Sequence, residues 1–230
     1  MDITHDFSTI FCASCGHSIQ IPVRCGLRFC STCSRSAAAR THARLSFICN
    51  NIKAKRGDSW KFLTLTIASQ EDLNLMITAL IVSFRRLRSR NLWKEAVRGG
   101  MYVLEVTHSA KGWHAHLHVI MMARYIPQHF LSKIWKAVSG SPVLDIRQVK
   151  GKSPVGYVTH YLTKFDLPPE VAAEAEAAIR NRRLWSPFGI AHDLNQQYKP
   201  APVPCPHCGQ HAWISERAIE RGFAHVEPDP

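Results

Sequence analysis

The sequence predicts an α+β protein: a central antiparallel sheet with helices packed on one face, accompanied by a small zinc-binding module. Three observations predict this. Stretches that alternate apolar and polar residues, as half-buried strands do, are interleaved with longer stretches of helical period. The two clearest alternating stretches, 101–107 and 112–121, are joined by a short glycine-containing loop and read as a hairpin. Three C-x2-C pairs, Cys12/Cys15, Cys30/Cys33 and Cys205/Cys208, lie outside these stretches.

The chain has 230 residues, enough for one ordinary domain and a small appendage. Its net charge of +12 suits a polyanionic partner, with nucleic acid the default. No apolar run approaches the ~20 residues that span a bilayer, and Met1–Asp6 lacks the features of a signal peptide. The expectation is a cytoplasmic protein with no membrane partner. Its eight cysteines are then metal ligands before they are disulfides.

Taken in order, residues 1–35 form a cysteine-rich zinc-binding segment, 36–58 a connecting helix, 59–198 the main domain, and 199–230 a linker with a C-terminal knuckle and tail. A C-x2-C turn places two thiolates ~2.3 Å from one Zn²⁺, and tetrahedral closure needs two more ligands. Cys30 and Cys33 can supply them to Cys12 and Cys15, with Cys25 as surplus. Cys205 and Cys208 then need ligands from elsewhere: His211, Cys25 or His17. Alternatively, this third pair completes a site with one N-terminal pair, bringing the chain ends together. Residues 35–55 read as a helix, with Leu45, Ile48, Cys49 and Ile52 as its apolar stripe. Cys49 is core rather than ligand.

Residues 60–67 alternate as a strand, with Leu63, Leu65 and Ile67 turned to the core. Residues 70–96 read as one long helix ending in an arginine-rich turn, and Gly99-Gly100 as the turn that follows. Helices are expected again at 127–138 and 170–180, the latter exposed and polar, and a further strand at 142–149. Pro154 opens a helix in which Tyr157, Tyr161 and Lys164 share one face, being spaced by four and three residues.

In Gly112–Met121, His114, His116 and His118 occupy one face of a strand, while Trp113, Ala115, Leu117, Val119 and Met121 occupy the other. Neutral imidazole is a common ligand for transition ions. The hairpin register decides whether a carboxylate joins them. If the loop is Ser109–Gly112, His108 pairs with Trp113 and Glu105 lies opposite His116, on the histidine face. A loop longer by one residue puts Glu105 on the apolar face, where an unpaired carboxylate is costly. The first register is therefore expected.

His116-Leu117-His118 resembles the histidine–hydrophobic–histidine signature of the HUH endonucleases, and Tyr161-Leu162-Thr163-Lys164 resembles their Tyr-x-x-Lys motif. Phe62–Thr66 is similar to the first motif of rolling-circle replication initiators, and Cys25–Cys33 to the cysteine segment ahead of the catalytic domain in such initiators. The resemblance covers about residues 10–190. It implies an RRM-like palm and a plasmid or phage replication initiator that nicks and rejoins single-stranded DNA at a rolling-circle origin. Tyr161 is then the nucleophile, leaving a 5′-phosphotyrosine and a free 3′-hydroxyl. His116, His118 and Glu105 are the ligands of a divalent ion, Mn²⁺ or Mg²⁺, and Lys164 steadies phenolate or phosphate. Tyr157 is either a second nucleophile or a packing residue; His114 is a spare ligand or a base contact. An HUH transposase or relaxase shares this chemistry, whereas a zinc-dependent DNA-binding protein without it forms no covalent adduct. No Gly-x4-Gly-Lys-Ser/Thr loop occurs. Duplex opening at single-stranded or supercoiled origin DNA is thus left to a host helicase, and extension to a host polymerase.

Overall fold

The computed structural model describes residues 5–151, 153–162 and 167–221. The chain divides into two units, one built from both ends (1–26 and 199–230) and one from 27–198.

The first unit contains strands β1 (Phe7–Cys12) and β2 (Ser18–Pro22) from the N-terminal segment. Near the other end of the chain the last strand, numbered β8 (Trp213–Ser215), pairs antiparallel with β1, Phe11 opposite Ile214. The sheet order is β2-β1-β8, followed by a short helix, Glu216–Glu220. The segments 1–35 and 199–230, separate on paper, thus meet in one sheet.

The second unit begins with helix α1 (Ser31–Asn51). It starts earlier than the apolar stripe indicates, because Cys30 caps it: the Cys33 amide donates to Cys30 Sγ at 3.5 Å. Strand β3 (Ser59–Thr66) follows, then α2 (Leu73–Arg88) and α3 (Asn91–Ala96). The expected single helix over 70–96 is two. Asp72 caps the first, accepting from the Leu75 amide. At the break, Ser89 Oγ donates to the Arg86 carbonyl and Arg90 turns extended. Periodicity missed this, because both pieces keep their apolar side on the same core.

Strands β4 (Val97–Ser109) and β5 (Gly112–Ala123) form the long hairpin. Gly99-Gly100 is not a turn but part of β4, at a register shift between Val97 and Gly99. A Cβ on Gly100 would meet the Ile120 carbonyl and lie 2.7 Å from Met121 Cα. The glycines serve close backbone approach. Next come α4 (Gln128–Ser139), β6 (Leu144–Gln148), the single turn α5 (Gly156–Thr159) with a 3₁₀ turn over His160–Leu162, α6 (Pro169–Ile179), β7 (Trp185–Gly189) and α7 (Ile190–Gln197).

The sheet order is β6-β3-β5-β4-β7, antiparallel at every pairing. On one face Leu63, Leu65, Leu104, Leu117, Val119 and Met121 meet the apolar sides of α2, α4 and α6 in the main core. α6 is not purely exposed: Ala175, Ala178 and Ile179 are buried there. Its acids are also engaged, Glu174 accepting from Trp113 Nε1 at 2.9 Å and Glu176 from the amides of Arg28 and Phe29. The opposite face is shared. Phe62, Met101, Val103, Ile120 and Met122 are apolar there too and need cover, which α1, α5 and α7 supply through Leu45, Ile48, Val158 and Ala191. The rest of that face carries the histidines.

Candidate active site

Alternation along β5 turns His114, His116 and His118 to the second face, and the neighbouring strands determine what each one meets. β4 places Glu105 opposite His116, with His108 opposite Trp113. Pairing continues to Ser109 opposite Gly112, so the turn tightens to Ala110 and Lys111. Gly112 has φ +89 there, a conformation that favours glycine. The Glu105 carboxylate, 7% exposed, contacts His118: Oε2 lies 2.8 Å from Nε2.

On the other side, β3 places Thr64 opposite His118 and Thr66 opposite His116. Their hydroxyls reach the ring nitrogens, Thr64 Oγ1 lying 3.3 Å from His118 Nδ1 and Thr66 Oγ1 lying 3.0 Å from His116 Nδ1. Occupying Nδ1 fixes the ring orientation and makes Nε2 the nitrogen for a ligand role. His114 differs. Its Nδ1 contacts Ser69 Oγ at 2.9 Å and its Nε2 contacts Ser109 Oγ at 2.8 Å, so both nitrogens are engaged by hydroxyls.

Tyr161 lies flat on His118, the ring centroids 3.5 Å apart and the planes 9° from parallel. Phe62, behind them, stacks with both rings, 5.8 Å from His118 and 6.3 Å from Tyr161. Tyr157 tilts against Phe62 at 5.6 Å, and its hydroxyl donates to the Lys150 carbonyl while accepting from the Lys150 amide. Among the described residues, the helix expected to align Tyr157, Tyr161 and Lys164 is one α-turn followed by a 3₁₀ turn, and both tyrosines pack against Phe62. Lys164 lies outside the described residues.

Several site residues were not singled out as such from sequence. Phe62, Thr64 and Thr66 fall in the stretch resembling the first initiator motif but carry no individual role there, and Asp145 and Arg147 appear only as part of a further strand. Asp145 sits opposite Thr64, on the histidine face at the sheet edge, paired with Arg147 at 2.6 Å. The alternation of 60–67 gives their face, but the partner strands follow only from non-local pairing.

Among the cysteines, the first unit brings together Cys12, Cys15, Cys205 and Cys208, their sulfurs all within 4.8 Å of one another. Such a group can hold a metal ion. Cys30 and Cys33 belong to the second unit, at the start of α1. Burial works to raise the Cys12 thiol, but a main-chain hydrogen bond at Ser14 and contacts with Cys208 and Cys15 outweigh it, holding it down to about 7. Cys15, although the His17 main chain favours its thiolate, is pushed up to about 12 by burial and the neighbouring thiols.

An antiparallel sheet with α2, α4 and α6 on one face, and on the other a His-x-His strand beside a tyrosine with α1 and α7 covering the rest, defines a class of α+β protein with the layout of the HUH palm. The family described as "Replication protein" matches residues 17–200, and the chain belongs to it. It is 32% identical over 147 residues to "Protein rep" of a Bacillus species, covering 57% of this chain and 47% of that protein. It is 28% identical over 165 residues to "Protein rep" of Streptococcus pneumoniae serotype 2 (strain D39 / NCTC 7466), covering 63% and 51%. The matches thus span about half the length of these curated relatives. No solved structure matches the chain. Among the described residues, no helix is long and apolar enough to cross a membrane.

Proposed function

We propose that the second unit nicks and rejoins single-stranded DNA at a rolling-circle replication origin, with Tyr161 as the attacking nucleophile. The observation that carries this is the stacking of Tyr161 on His118, 3.5 Å between centroids, with His118 bonded to the buried Glu105 carboxylate. A lone phenol titrates near ~10 and attacks phosphodiesters poorly. Holding it against a histidine–carboxylate pair on a rigid sheet meets the requirement for positioning.

Glu105, His116 and His118 are the residues that would hold a divalent ion. Glu105 Oε2 and His118 Nε2 bond to each other at 2.8 Å, a contact that ligation would replace. His116 is the third ligand, its ring centroid 6.2 Å from that of His118, held through Nδ1 by Thr66. Two imidazoles and a carboxylate suit Mn²⁺, with Mg²⁺ as the available substitute. When bound, such an ion neutralises charge on the scissile phosphate.

The Tyr161 oxygen bonds to phosphorus, the bond to the 3′-oxygen breaks, and the phenolic proton is passed on as that oxygen becomes a hydroxyl. The 5′-phosphotyrosine stores the bond energy, and the reverse attack rejoins the strand. Lys164 stabilises phenolate or phosphate. Tyr157 serves as a second nucleophile only by giving up its hydrogen bonds to Lys150. Origin DNA, a host helicase and a host polymerase are the partners this activity needs.

The test is a denaturing gel after incubation with Mn²⁺ and origin-derived single-stranded DNA. A covalent protein–DNA adduct is expected, lost in Tyr161→Phe and retained in Tyr157→Phe. An adduct that survives Tyr161→Phe and vanishes in Tyr157→Phe would overturn the assignment of the first nucleophile. No adduct from the unaltered chain would overturn the activity.

A further inference from the structure

The first unit lacks what normally holds a domain together. Among its described residues only Cys12 and Cys205 are buried. Phe7 is 62% exposed, Val203 66%, and Ile21 and Val23 about two-fifths, while Ile10, Phe11, Ile19, Trp213 and Ile214 are only half-buried. A three-stranded sheet of this size without an apolar core needs another staple.

The two cysteine pairs are built alike. In the first, the Gly16 amide donates to the Cys12 carbonyl at 2.9 Å and the Cys12 amide to the His17 carbonyl at 2.8 Å. In the second, the Gly209 amide donates to the Cys205 carbonyl at 2.8 Å and the Cys205 amide to the Gln210 carbonyl at 2.7 Å. Gly16 and Gly209 both take positive φ, +70 and +74. Each pair is followed at once by the glycine that lets the chain turn back around its two sulfurs. The knuckles then face one another crosswise, Cys12 Sγ 3.5 Å from Cys208 Sγ and Cys15 Sγ 3.8 Å from Cys205 Sγ. Four sulfurs at ~2.3 Å from a tetrahedral centre stand ~3.8 Å from each other. Both contacts match that spacing, and all four sulfurs converge within 4.8 Å of one another, as ligands of one centre must.

We infer that Cys12, Cys15, Cys205 and Cys208 form a closed tetrahedral Zn²⁺ site that ties the two ends of the chain together, and that the first unit folds only with the metal bound. The four thiols give up their protons to solvent as they ligate. All four positions are filled by protein, so the site is structural and holds no open place for substrate. Soft thiolate donors select Zn²⁺ over the harder ions proposed at the histidines. The inference stands apart from the proposed nicking chemistry, and a chain with no nuclease activity would leave it intact.

The full chain reconstituted with Co²⁺ tests it. Thiolate-to-cobalt charge transfer and intense tetrahedral d–d bands are expected. Cys205→Ser/Cys208→Ser should lose one metal equivalent per chain, and Cys49→Ala none. A stoichiometry unchanged by the double variant would overturn the site, as would iron in place of zinc in the isolated protein. Amide exchange supplies a readout that does not depend on that variant folding. Chelation should remove protection at Ile10 and Phe11 and leave the β3–β5 ladder protected. Protection at Ile10 and Phe11 that outlasts metal removal would overturn the folding dependence.

Discussion

The two units hold themselves together by opposite means. The second buries two apolar clusters against the faces of one sheet, with Trp113, Trp135, Phe84 and many aliphatic side chains sealed from water. The first buries only two cysteines among its described residues. One is stabilised by area removed from water, which is spread over many residues and degrades gradually. The other, on the inference of a thiolate-bound ion, depends on a few metal–sulfur bonds and fails all at once when the ion is removed. The same contrast sorts the two candidate ligand sets. The thiol cluster sits where a fold must be made, and the histidines sit on a fold already made by packing.

The largest expected effect breaks the second unit while sparing the first. Trp113 is fully enclosed in the main core, and its indole nitrogen donates to Glu174. Trp113→Ala empties a large volume, costing about 3–5 kcal/mol, while the exposed Glu174 carboxylate returns to water. Urea unfolding of the β3–β5 sheet should record that loss, while the cobalt spectrum of the thiol site is unchanged at low urea. A parallel loss of both signals would show that the units are not separate in energy.

A smaller effect tests the close approach in the hairpin. A Cβ on Gly100 meets main-chain atoms of Ile120 and Met121, which cannot rotate away. Gly100→Ala should cost about 1–3 kcal/mol, read as a lower urea midpoint at unchanged slope. If Gly99-Gly100 were a turn, the same change would cost far less.

That residue also shows what was legible beforehand. Two glycines in sequence read equally well as a turn or as close backbone approach, and only the pairing of β4 with β5 decides between them. Elements whose signal is local were legible: the alternation of β3, β4 and β5, the amphipathic α2 and α4, and the register placing Glu105 opposite His116, which follows from the cost of burying a carboxylate on the apolar face. Elements whose signal is non-local were not. The pairing of Cys12 and Cys15 with Cys205 and Cys208 spans nearly the whole chain, and spacing alone permits Cys30 and Cys33 equally. Thr64 and Thr66 became hydrogen-bond partners of the histidines only when β3 was set beside β5. The break between α2 and α3 left no mark on the apolar stripe, because both helices serve one core.

The smallest expected effect concerns one cysteine of the second unit and sharpens the difference in how the two units use sulfur. Cys49 lies in the apolar stripe of α1, and burial pushes its thiol up to about 12, whereas Cys12 in the thiol cluster is held down to about 7. Below pH 9, the ordinary thiol value, Cys49 keeps its proton folded or unfolded and contributes no pH dependence. Above pH 9 the unfolded chain releases that proton while the folded chain retains it, so the stability of the second unit falls progressively toward pH 12. Cys49→Ala should flatten this decline, at the cost of a small cavity. In the unaltered chain at pH 8, thiolate is so scarce at Cys49 that a maleimide should leave it unmodified while the sheet stays folded. Labelling of Cys49 as fast as an exposed thiol would mean that α1 opens away from the Ile120 and Met122 end of the sheet, and that this part of the second core is held less firmly than its burial indicates.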